Sequence, residues 1–232
     1  MSTCGMLGRH GALGRGCGKM AASGKKSYHH KNLRNALIAA AIPVLKQKGV
    51  LGLGMRELAT LTGVSHGAPY RHFSDKTALL EAIAARGYAQ LSEACNCARE
   101  KYAQQPLQAL EEAGIGYLLF VVDNPEVANL MFSGVLPPAR WGDELSESAT
   151  RAVLDLKRII ELGKQAGLYA DVDSTDLTTA SLAMVHGLSM FLAGDLLPGQ
   201  QRDEQAIRLL GKKVAAILLN GMLRRDLDNQ VR

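Results

Sequence analysis

A short run of polar side chains between residues 65 and 72 is the part of the sequence best suited to contact another molecule. It supplies a hydroxyl, two imidazoles, a phenol and a guanidinium within eight residues: Ser65, His66, Tyr70, Arg71 and His72. All of these groups can donate hydrogen bonds to phosphate oxygens or to the edges of bases. A short helix gives them no apolar face on which to be buried, so they are predicted to face outward. The chemistry that this run predicts is recognition of DNA.

Pro69 lies inside this run, and the residues alone leave two interpretations of it open. It falls in the first turn of the predicted helix, where a missing backbone N–H costs little. Its ring and the methyl group of Ala68 could contact a thymine methyl group. Alternatively, Pro69 only shapes the turn.

The elements that must position these side chains form a helix-turn-helix over about residues 54–73. Between its two helices lies a tight turn, in which Gly63 is predicted to adopt a positive φ and Ser65 to cap the next helix. That next helix, at about residues 66–72, is the one that enters the major groove in this motif. Ser74 is predicted to cap the long helix that follows.

Around this motif the sequence resembles the TetR family of transcriptional regulators. The resemblance rests on segments at specific spacing: Met55-Arg56-Glu57-Leu58-Ala59, Gly63-Val64-Ser65, Gly67-Ala68-Pro69-Tyr70-Arg71-His72-Phe73, Lys76 and Leu79-Leu80, after an opening Tyr28-His29-His30-Lys31-Asn32-Leu33-Arg34. It implies a dimeric DNA-binding regulator. It also implies the residues that face DNA: Ser65, His66, Ala68, Tyr70, Arg71 and His72. Pro69 is a candidate DNA contact through its ring alone. Lys76 is implied to hold a phosphate together with the N-terminus of its helix, and Arg56 to pair either with a phosphate or with the surroundings of Glu57. Gly54 departs from the family, which usually has Ser or Thr there, and removes one capping hydroxyl.

Two C-terminal segments resemble a subgroup of that family whose effector domain contains a Trp-His-Gly element. They are Asn124-Pro125-Glu126 with Met131-Phe132, and Val185-His186-Gly187-Leu188. Val185 replaces the aromatic residue of the element. The resemblance implies a regulatory ligand-binding domain and names no ligand.

The distribution of charge agrees with an N-terminal part that binds DNA. Residues 1–86 contain 13 Lys and Arg against three Asp and Glu, whereas residues 87–232 contain 14 against 19. A basic head on an acidic body is typical of a DNA-binding domain attached to a domain that does not bind DNA. The alternative is a basic tail that only aids solubility.

Composition and periodicity predict an all-α protein with about nine helices in three regions. Apolar residues make up 47% of the chain and aromatic residues 5%, and runs of strand-forming residues are scarce. The regions are a disordered basic tail (1–27), a helix-turn-helix DNA-binding domain (28–75) and an effector-binding and dimerisation domain (76–232). The predicted helices are at about 28–48, 55–61, 66–72, 75–102, 106–122, 125–133, 144–165, 174–193 and 203–225, and Gly49 ends the first.

The part of the chain beyond the DNA-binding domain is longer than DNA binding requires, so we predict that it binds a small, largely apolar effector that releases DNA. The candidate lining residues are aromatic, methionine and aliphatic side chains and one histidine: Tyr88, Leu91, Tyr117, Phe120, Met131, Phe132, Trp141, Met184, His186 and Met190. The alternative is a filled core without a cavity. In that case His186 is a hydrogen-bonded core residue and Trp141 seals a core edge.

The last two predicted helices have the pattern of a two-fold interface. Small residues recur on one helix and apolar residues on the other: Thr179, Ala183 and Gly187, then Leu210, Val214 and Ile217. A homodimer through these helices is predicted. The alternative is ordinary packing within one subunit.

Several other functions are not favoured by the sequence. No phosphate-binding glycine loop or nucleophile elbow is present, and no carboxylate or His/Cys constellation has the pattern of an active site, so no catalytic residue, cofactor or metal site is predicted. No apolar run reaches the length of a membrane span, and a cytoplasmic location is expected. Cys95 and Cys97 stand two apart on a predicted helix and cannot bridge each other, although a redox role stays open. The alternatives to a regulator are a helical small-molecule-binding module without DNA function and an enzyme.

Overall fold

The computed structural model of the chain describes residues 25–169 and 172–220, and every regular element in this part is helical. The α-helices are α1 (Lys25–Gly52), α2 (Met55–Leu61), α3 (Lys76–Lys101), α4 (Pro106–Asp123), α5 (Pro125–Phe132), α6 (Asp143–Gln165), α7 (Ser174–Ala193) and α8 (Glu204–Asn220). Short 3₁₀ helices occupy Pro69–Arg71 and Pro138–Arg140. The predicted all-α fold is confirmed. Eight α-helices are described instead of about nine because the predicted helix at residues 66–72 is a three-residue 3₁₀ helix.

Parts of two predictions lie outside the described residues. They are residues 1–24 of the predicted basic tail and residues 221–225 of the last predicted helix. The first helix begins at Lys25, inside the stretch predicted to be disordered. Gly49, which was predicted to end that helix, does leave the helical conformation, with a φ of 64°, before α1 finishes at Gly52.

The chain divides into two compact units, the first ending at Leu80 and the second beginning at Glu81. In the first unit α1 packs against α2, and α2 packs against the 3₁₀ helix at Pro69–Arg71. Fully buried side chains of this unit lie on α1, on α2 and in the first turn of α3, among them Leu37, Ile38, Leu58 and Leu79. Because these side chains are buried within one compact unit, they fix the orientation of the turn that carries the polar run.

The cap of α3 is Asp75 and not Ser74. The Asp75 carboxylate accepts a hydrogen bond of 2.9 Å from the backbone N–H of Ala78. The Ser74 hydroxyl is instead 3.3 Å from the same carboxylate, so the prediction that Ser74 caps this helix was wrong. A carboxylate at this position also interacts favourably with the positive end of the helix dipole.

Gly63 is held in the left-handed region by the tight turn, with a φ of 69°. A Cβ atom added there would meet nothing within 4 Å, so any cost of a side chain comes from the backbone alone. We therefore expect Gly63→Ala to lower the free energy of unfolding by about 1–2 kcal/mol. Gly63→Asn should cost clearly less, because asparagine tolerates this conformation. Urea denaturation followed by circular dichroism measures both, and equal losses in the two variants would contradict the backbone explanation.

The second unit is built around α4, which packs against α6, α7 and α8. Its core is aliphatic, and its fully buried members include Ile115, Leu118, Ile159 and Leu192. Glycine allows a close approach between α3 and α5, since a Cβ on Gly87 would lie 2.4 Å from a methionine sulfur on α5. None of the described helices combines the length and apolarity that a bilayer crossing requires.

Candidate functional site

Most of the polar run predicted to contact DNA is exposed on the turn after α2. The exposed members are Ser65, His66, Tyr70 and Arg71, together with Arg56 on α2. Their backbone is held by hydrogen bonds within the turn, from the N–H of Val64 to the carbonyl of Ala59 (2.9 Å) and from Phe73 to Pro69 (3.0 Å). The outward side chains therefore stand on a fixed backbone, as groove recognition requires.

The structure corrects part of what was predicted for Pro69 and its neighbours. Pro69 is buried in the first unit, which favours its role in shaping the turn over contact with a thymine methyl group. Ala68 and His72 are half-buried. The predicted α-helix is reduced to a 3₁₀ helix because the proline lacks an N–H and Gly67 does not favour helix. The hydroxyl of Ser65 was expected to cap this helix, but no side-chain cap is formed there.

Lys76 at the start of α3 is held by a contact that the sequence did not predict. Its ammonium donates a hydrogen bond of 3.2 Å to the carbonyl of Leu51 near the end of α1. Nearby, the Arg34 guanidinium lies 5.4 Å from the centre of the Phe73 ring. Lys76 is half-buried, so its remaining two N–H bonds are the ones available to a phosphate.

The second unit contains a cavity of about 630 Å³ between α3, α4, α6 and α7. Six of the ten residues predicted to line an effector site do line it: Tyr88, Leu91, Tyr117, Phe132, Trp141 and His186. The volume lies within the range of about 300–1,000 Å³ that is typical of small-molecule sites. The alternative of a filled core is therefore wrong for this unit.

Four predicted lining residues lie elsewhere. Phe120 on α4 and Met131 on α5 are buried beside Gly87 of α3. Met184 lines a separate small cavity of about 60 Å³. Met190 is 38% exposed on the surface of α7. The sequence indicated apolar faces correctly but could not indicate which apolar residues face a space and which face a neighbouring helix.

Other residues, five of them on α6, line the cavity although the sequence did not predict them there. Besides Thr179 and Ala183, they are small or aliphatic apart from one thiol and one hydroxyl: Cys95, Ala113, Gly114, Ala149, Thr150, Ala152, Val153, Leu156, Leu182 and Val185. Four of the five on α6 have the spacing of one helical face, at positions 149, 152, 153 and 156. This periodicity could have identified them. Burial raises the pKa of the Cys95 thiol to about 12, so the thiol is protonated and unreactive at neutral pH.

The polar end of the cavity is a hydrogen-bonded pair, Tyr117 and His186. The phenol oxygen of Tyr117 lies 3.0 Å from Nδ1 of His186, and the Phe132 ring is 4.7 Å from the imidazole, edge to face. Burial lowers the pKa of His186 and raises the pKa of Tyr117. Both groups are therefore uncharged at neutral pH. The pair explains why a histidine is tolerated on this largely apolar helix.

The residues predicted to form a dimer interface separate into two groups. Thr179 and Ala183 are exposed at the rim of the cavity, and a Cβ on Gly187 would meet nothing within 4 Å. Ile217 on α8 is 53% exposed. By contrast, Leu210 packs against the buried cluster of Leu118, Leu192 and Ile207, and Val214 lines the small cavity. Leu210 and Val214 therefore take part in packing within the subunit.

A buried carboxylate joins two of the helices around the cavity. Asp155 on α6 is 1% exposed and accepts hydrogen bonds from the Ser92 hydroxyl and, at 3.0 Å, from the Asn96 amide, both on α3. It also pairs with Arg158, whose side chain is 59% exposed. Satisfying a buried carboxylate in this way fixes the separation of α3 and α6.

Removing this carboxylate should destabilise the second unit. We expect Asp155→Ala to lower the free energy of unfolding by about 1–3 kcal/mol, since the Ser92 hydroxyl would remain buried without its acceptor. The matched variant Arg158→Ala removes an exposed partner and should cost at most about 1 kcal/mol. Urea denaturation of both variants decides the matter. A loss for Arg158→Ala as large as that for Asp155→Ala would contradict the importance of burial.

The chain is similar to known regulators along most of its length. Residues 37–83 match the family described as bacterial regulatory proteins, tetR family. The chain is 28% identical over 193 residues to the HTH-type transcriptional repressor NicS of Pseudomonas putida, covering 78% of this chain and 91% of that protein. Its structure resembles that of a protein of unknown function from Rhodococcus sp. RHA1, with a TM-score of 0.69 and 28% identity. The match covers 83% of this chain and 98% of the Rhodococcus protein. It also resembles the structure of the TetR family regulator PfmR of Thermus thermophilus, with a TM-score of 0.62 and 23% identity. That match covers 81% of this chain and 99% of PfmR.

A helix-turn-helix with exposed donors, followed in the same chain by an all-helical unit with an apolar cavity, defines a DNA-binding transcription regulator. Residues 37–83 are a TetR-family DNA-binding domain, and the described chain has a TetR-like fold. The protein is a DNA-binding transcriptional regulator, and its similarity to the TetR family is carried by residues 37–83. Within residues 25–169 and 172–220, no three His, Cys, Asp or Glu side chains are grouped as they would be around a metal ion.

Proposed function

We propose that the protein is a homodimeric repressor that binds a two-fold symmetric DNA operator and is released from it by a small, largely apolar ligand. The observation that carries the proposal is the apolar cavity of about 630 Å³ in the second unit. The similarity to a protein named a transcriptional repressor supports the direction of regulation. Because the partner is DNA, the proposed location is the cytoplasm.

The proposed route from ligand to DNA is helix α3. This helix runs from Lys76 to Lys101 and includes Tyr88 and Leu91 in the wall of the cavity. A ligand that shifts α3 would change the separation of the two DNA-binding turns in a dimer, which must match two half-sites. By linkage, DNA must weaken ligand binding by the same factor, typically about 5–150-fold.

The test of DNA recognition is selection of bound sequences from random duplex DNA with the full chain. A palindromic consensus with fixed half-site spacing is expected, and it should bind at least about 1,000-fold more tightly than random DNA. Thermal-shift screening of a small-molecule library, with hits retested for release of the selected duplex, tests the ligand. Equal affinity for selected and random DNA at physiological salt would refute a specific regulator. Tight ligands that leave DNA affinity unchanged would refute the coupling.

The proposed dimer interface is formed by α7 and α8. Both helices pack on α4 and still expose large apolar side chains, with Phe191 on α7 at 49% and Leu209 and Ile217 on α8 at 55% and 53%. Exposed apolar residues clustered on neighbouring elements are typical of an interface between proteins. Within this proposal, Thr179, Ala183 and Gly187 allow the partner helix to approach closely.

A charge on this surface should dissociate the dimer. We expect Ile217→Glu to raise the dimer dissociation constant by about 10-fold to 100-fold, since a buried carboxylate without a partner is costly. The matched variant is Leu154→Glu on α6, where the leucine is 46% exposed and is not part of the proposed interface. Light scattering after gel filtration should give a monomer for Ile217→Glu and a dimer for Leu154→Glu. A wild-type monomer at micromolar concentration would contradict the interface.

Two finer points belong to the same proposal. The second unit is assigned to the subgroup with a Trp-His-Gly element, supported by the place of His186 in the cavity wall although Val185 replaces the aromatic residue. The chain is assigned no enzymatic activity. The alternatives, an enzyme or a ligand-binding module without DNA function, both predict that the chain fails to select a duplex sequence, so the selection experiment separates them from the proposal.

A further inference from the structure

The lining of the cavity carries no formal charge. None of the described residues around it is Asp, Glu, Lys or Arg. An ionised ligand would therefore leave water without gaining a counter-ion, which is strongly unfavourable. The wall is aromatic at one end, where the Tyr88 ring lies 5.8 Å from Phe132 and 6.0 Å from Trp141. Such a wall favours flat, uncharged guests.

Most polar groups of the wall already use their hydrogens within the protein. The Trp141 N–H donates to the carbonyl of Leu136 at 2.8 Å, and the Thr179 hydroxyl donates to the carbonyl of Thr175 at 2.8 Å. The Tyr88 hydroxyl lies 3.5 Å from the carbonyl of Met131, at the limit of a hydrogen bond. Apart from the exposed Thr150 hydroxyl, the pair formed by Tyr117 and His186 is thus the main polar group of the wall left to a ligand.

This pair always retains one hydrogen to donate. If the Tyr117 hydroxyl donates to Nδ1 of His186, the imidazole carries its hydrogen on Nε2 and can donate that hydrogen. If Nδ1 carries the hydrogen and donates to the phenol oxygen, the phenol hydrogen remains. A ligand that accepts one hydrogen bond can therefore satisfy the pair in either arrangement.

We infer that the effector is an uncharged, flat aromatic molecule with one hydrogen-bond acceptor, such as an aryl ketone, ester or ring nitrogen, and that a carboxylate is excluded. The acceptor binds the pair Tyr117 and His186, and the rings pack between Tyr88, Phe132 and Trp141. This inference rests on the proposed function, since it assigns the chemistry of the ligand to the same cavity.

Three naphthalenes of nearly equal size test the inference on the full-length protein by equilibrium dialysis. They are 2-acetylnaphthalene, which is neutral with one acceptor, 2-ethylnaphthalene, which has none, and 2-naphthoate, which is charged. The ketone should bind at least about tenfold more tightly than the carboxylate, because the carboxylate would lose its hydration without a counter-ion. It should bind about threefold to tenfold more tightly than the ethyl compound, as one neutral hydrogen bond gives.

Variants of the pair separate hydrogen bonding from packing. Tyr117→Phe and His186→Phe each leave one donor, so the preference for the ketone over the ethyl compound should persist in both single variants. The double variant removes both donors of the pair and should lose most of the preference while still binding 2-ethylnaphthalene, since the Tyr88 and Thr150 hydroxyls of the wall are the same in every variant. If the double variant does not fold, the comparison of the three probes on the wild type still decides.

Thr150 provides a test in the opposite direction. It is an exposed lining residue, so Thr150→Arg should fold and should supply the missing positive charge. We expect this variant to bind 2-naphthoate about tenfold more tightly than the wild type does. Thr150→Gln is the matched control and should leave carboxylate binding unchanged.

The outcomes distinguish the inference from the proposed function. Binding of 2-naphthoate by the wild type as tightly as the ketone overturns the inference, and so does the absence of ketone binding up to its solubility limit. DNA release is measured separately with the selected duplex. A carboxylate that binds and releases DNA would refute the ligand class and support the regulator. A ketone that binds with the expected preferences but never releases DNA would support the ligand class and refute the coupling.

Discussion

Replacing Tyr70 with alanine is expected to weaken binding to the selected operator by about 10-fold to 100-fold, the usual effect of losing a base-edge contact. Tyr70 is 52% exposed, and the turn beneath it is closed by backbone hydrogen bonds that the substitution does not touch. The loss should therefore appear in DNA binding and not in the melting temperature. Fluorescence anisotropy with the selected duplex and with random DNA, at several salt concentrations, measures it.

The comparison with Lys76 separates base recognition from phosphate contact. Lys76→Ala should weaken binding to both duplexes alike and reduce the slope of affinity against salt by about one. Lys76→Arg is the matched control, because it keeps the charge and can still donate to the carbonyl of Leu51. If Tyr70→Ala weakens both duplexes equally, the phenol contacts phosphate instead of a base. If it weakens neither, the assignment of this turn to the groove is wrong.

Filling the cavity from Gly114 is expected to produce a repressor that no ligand releases. Gly114 lies on α4 in the cavity wall, and a Cβ added there would meet only Val185, at 4.0 Å. The ring of Gly114→Phe should therefore occupy the space that a ligand needs. We expect ligand affinity to fall roughly 100-fold or more, because a ligand that enters beside the new ring would overpack the cavity. DNA affinity should stay within about twofold of the wild type, since no DNA-binding side chain is changed.

Gly114→Ala is the control for this variant. It adds a single methyl group in ordinary contact and replaces a glycine inside a helix, so the protein should gain about 0.5–1 kcal/mol of stability. Ligand binding should be almost unchanged. Calorimetric titration with hits from the thermal-shift screen, and gel shifts with and without them, measure both effects. A Gly114→Phe protein that is still released from DNA by the same ligand would place the effector site outside this cavity.

The turn that carries the exposed donors follows from local sequence alone. Gly63 was recognised as a turn residue because few other residues tolerate a positive φ, and it has a φ of 69°. The exposed donors were predicted because a helix of a few residues has no second face to bury. Helix positions followed from apolar periodicity in the same way, and α7 was predicted with the bounds Ser174–Ala193 that it has.

What depends on the packing of several helices was decided only by the tertiary structure. Phe120, Met131 and Tyr117 are all apolar or aromatic residues on helical faces, yet only Tyr117 lines the cavity. The reason is geometric, since a cavity exists where neighbouring side chains fail to fill the space between helices. The periodicity of one helix contains no information about where such space is left unfilled. The burial of Pro69 and the bond from Lys76 to the end of α1 also arise from contacts between separate elements. The pairing of Tyr117 with His186, 69 positions apart, belongs to the same class, because only the fold brings these side chains within 3.0 Å.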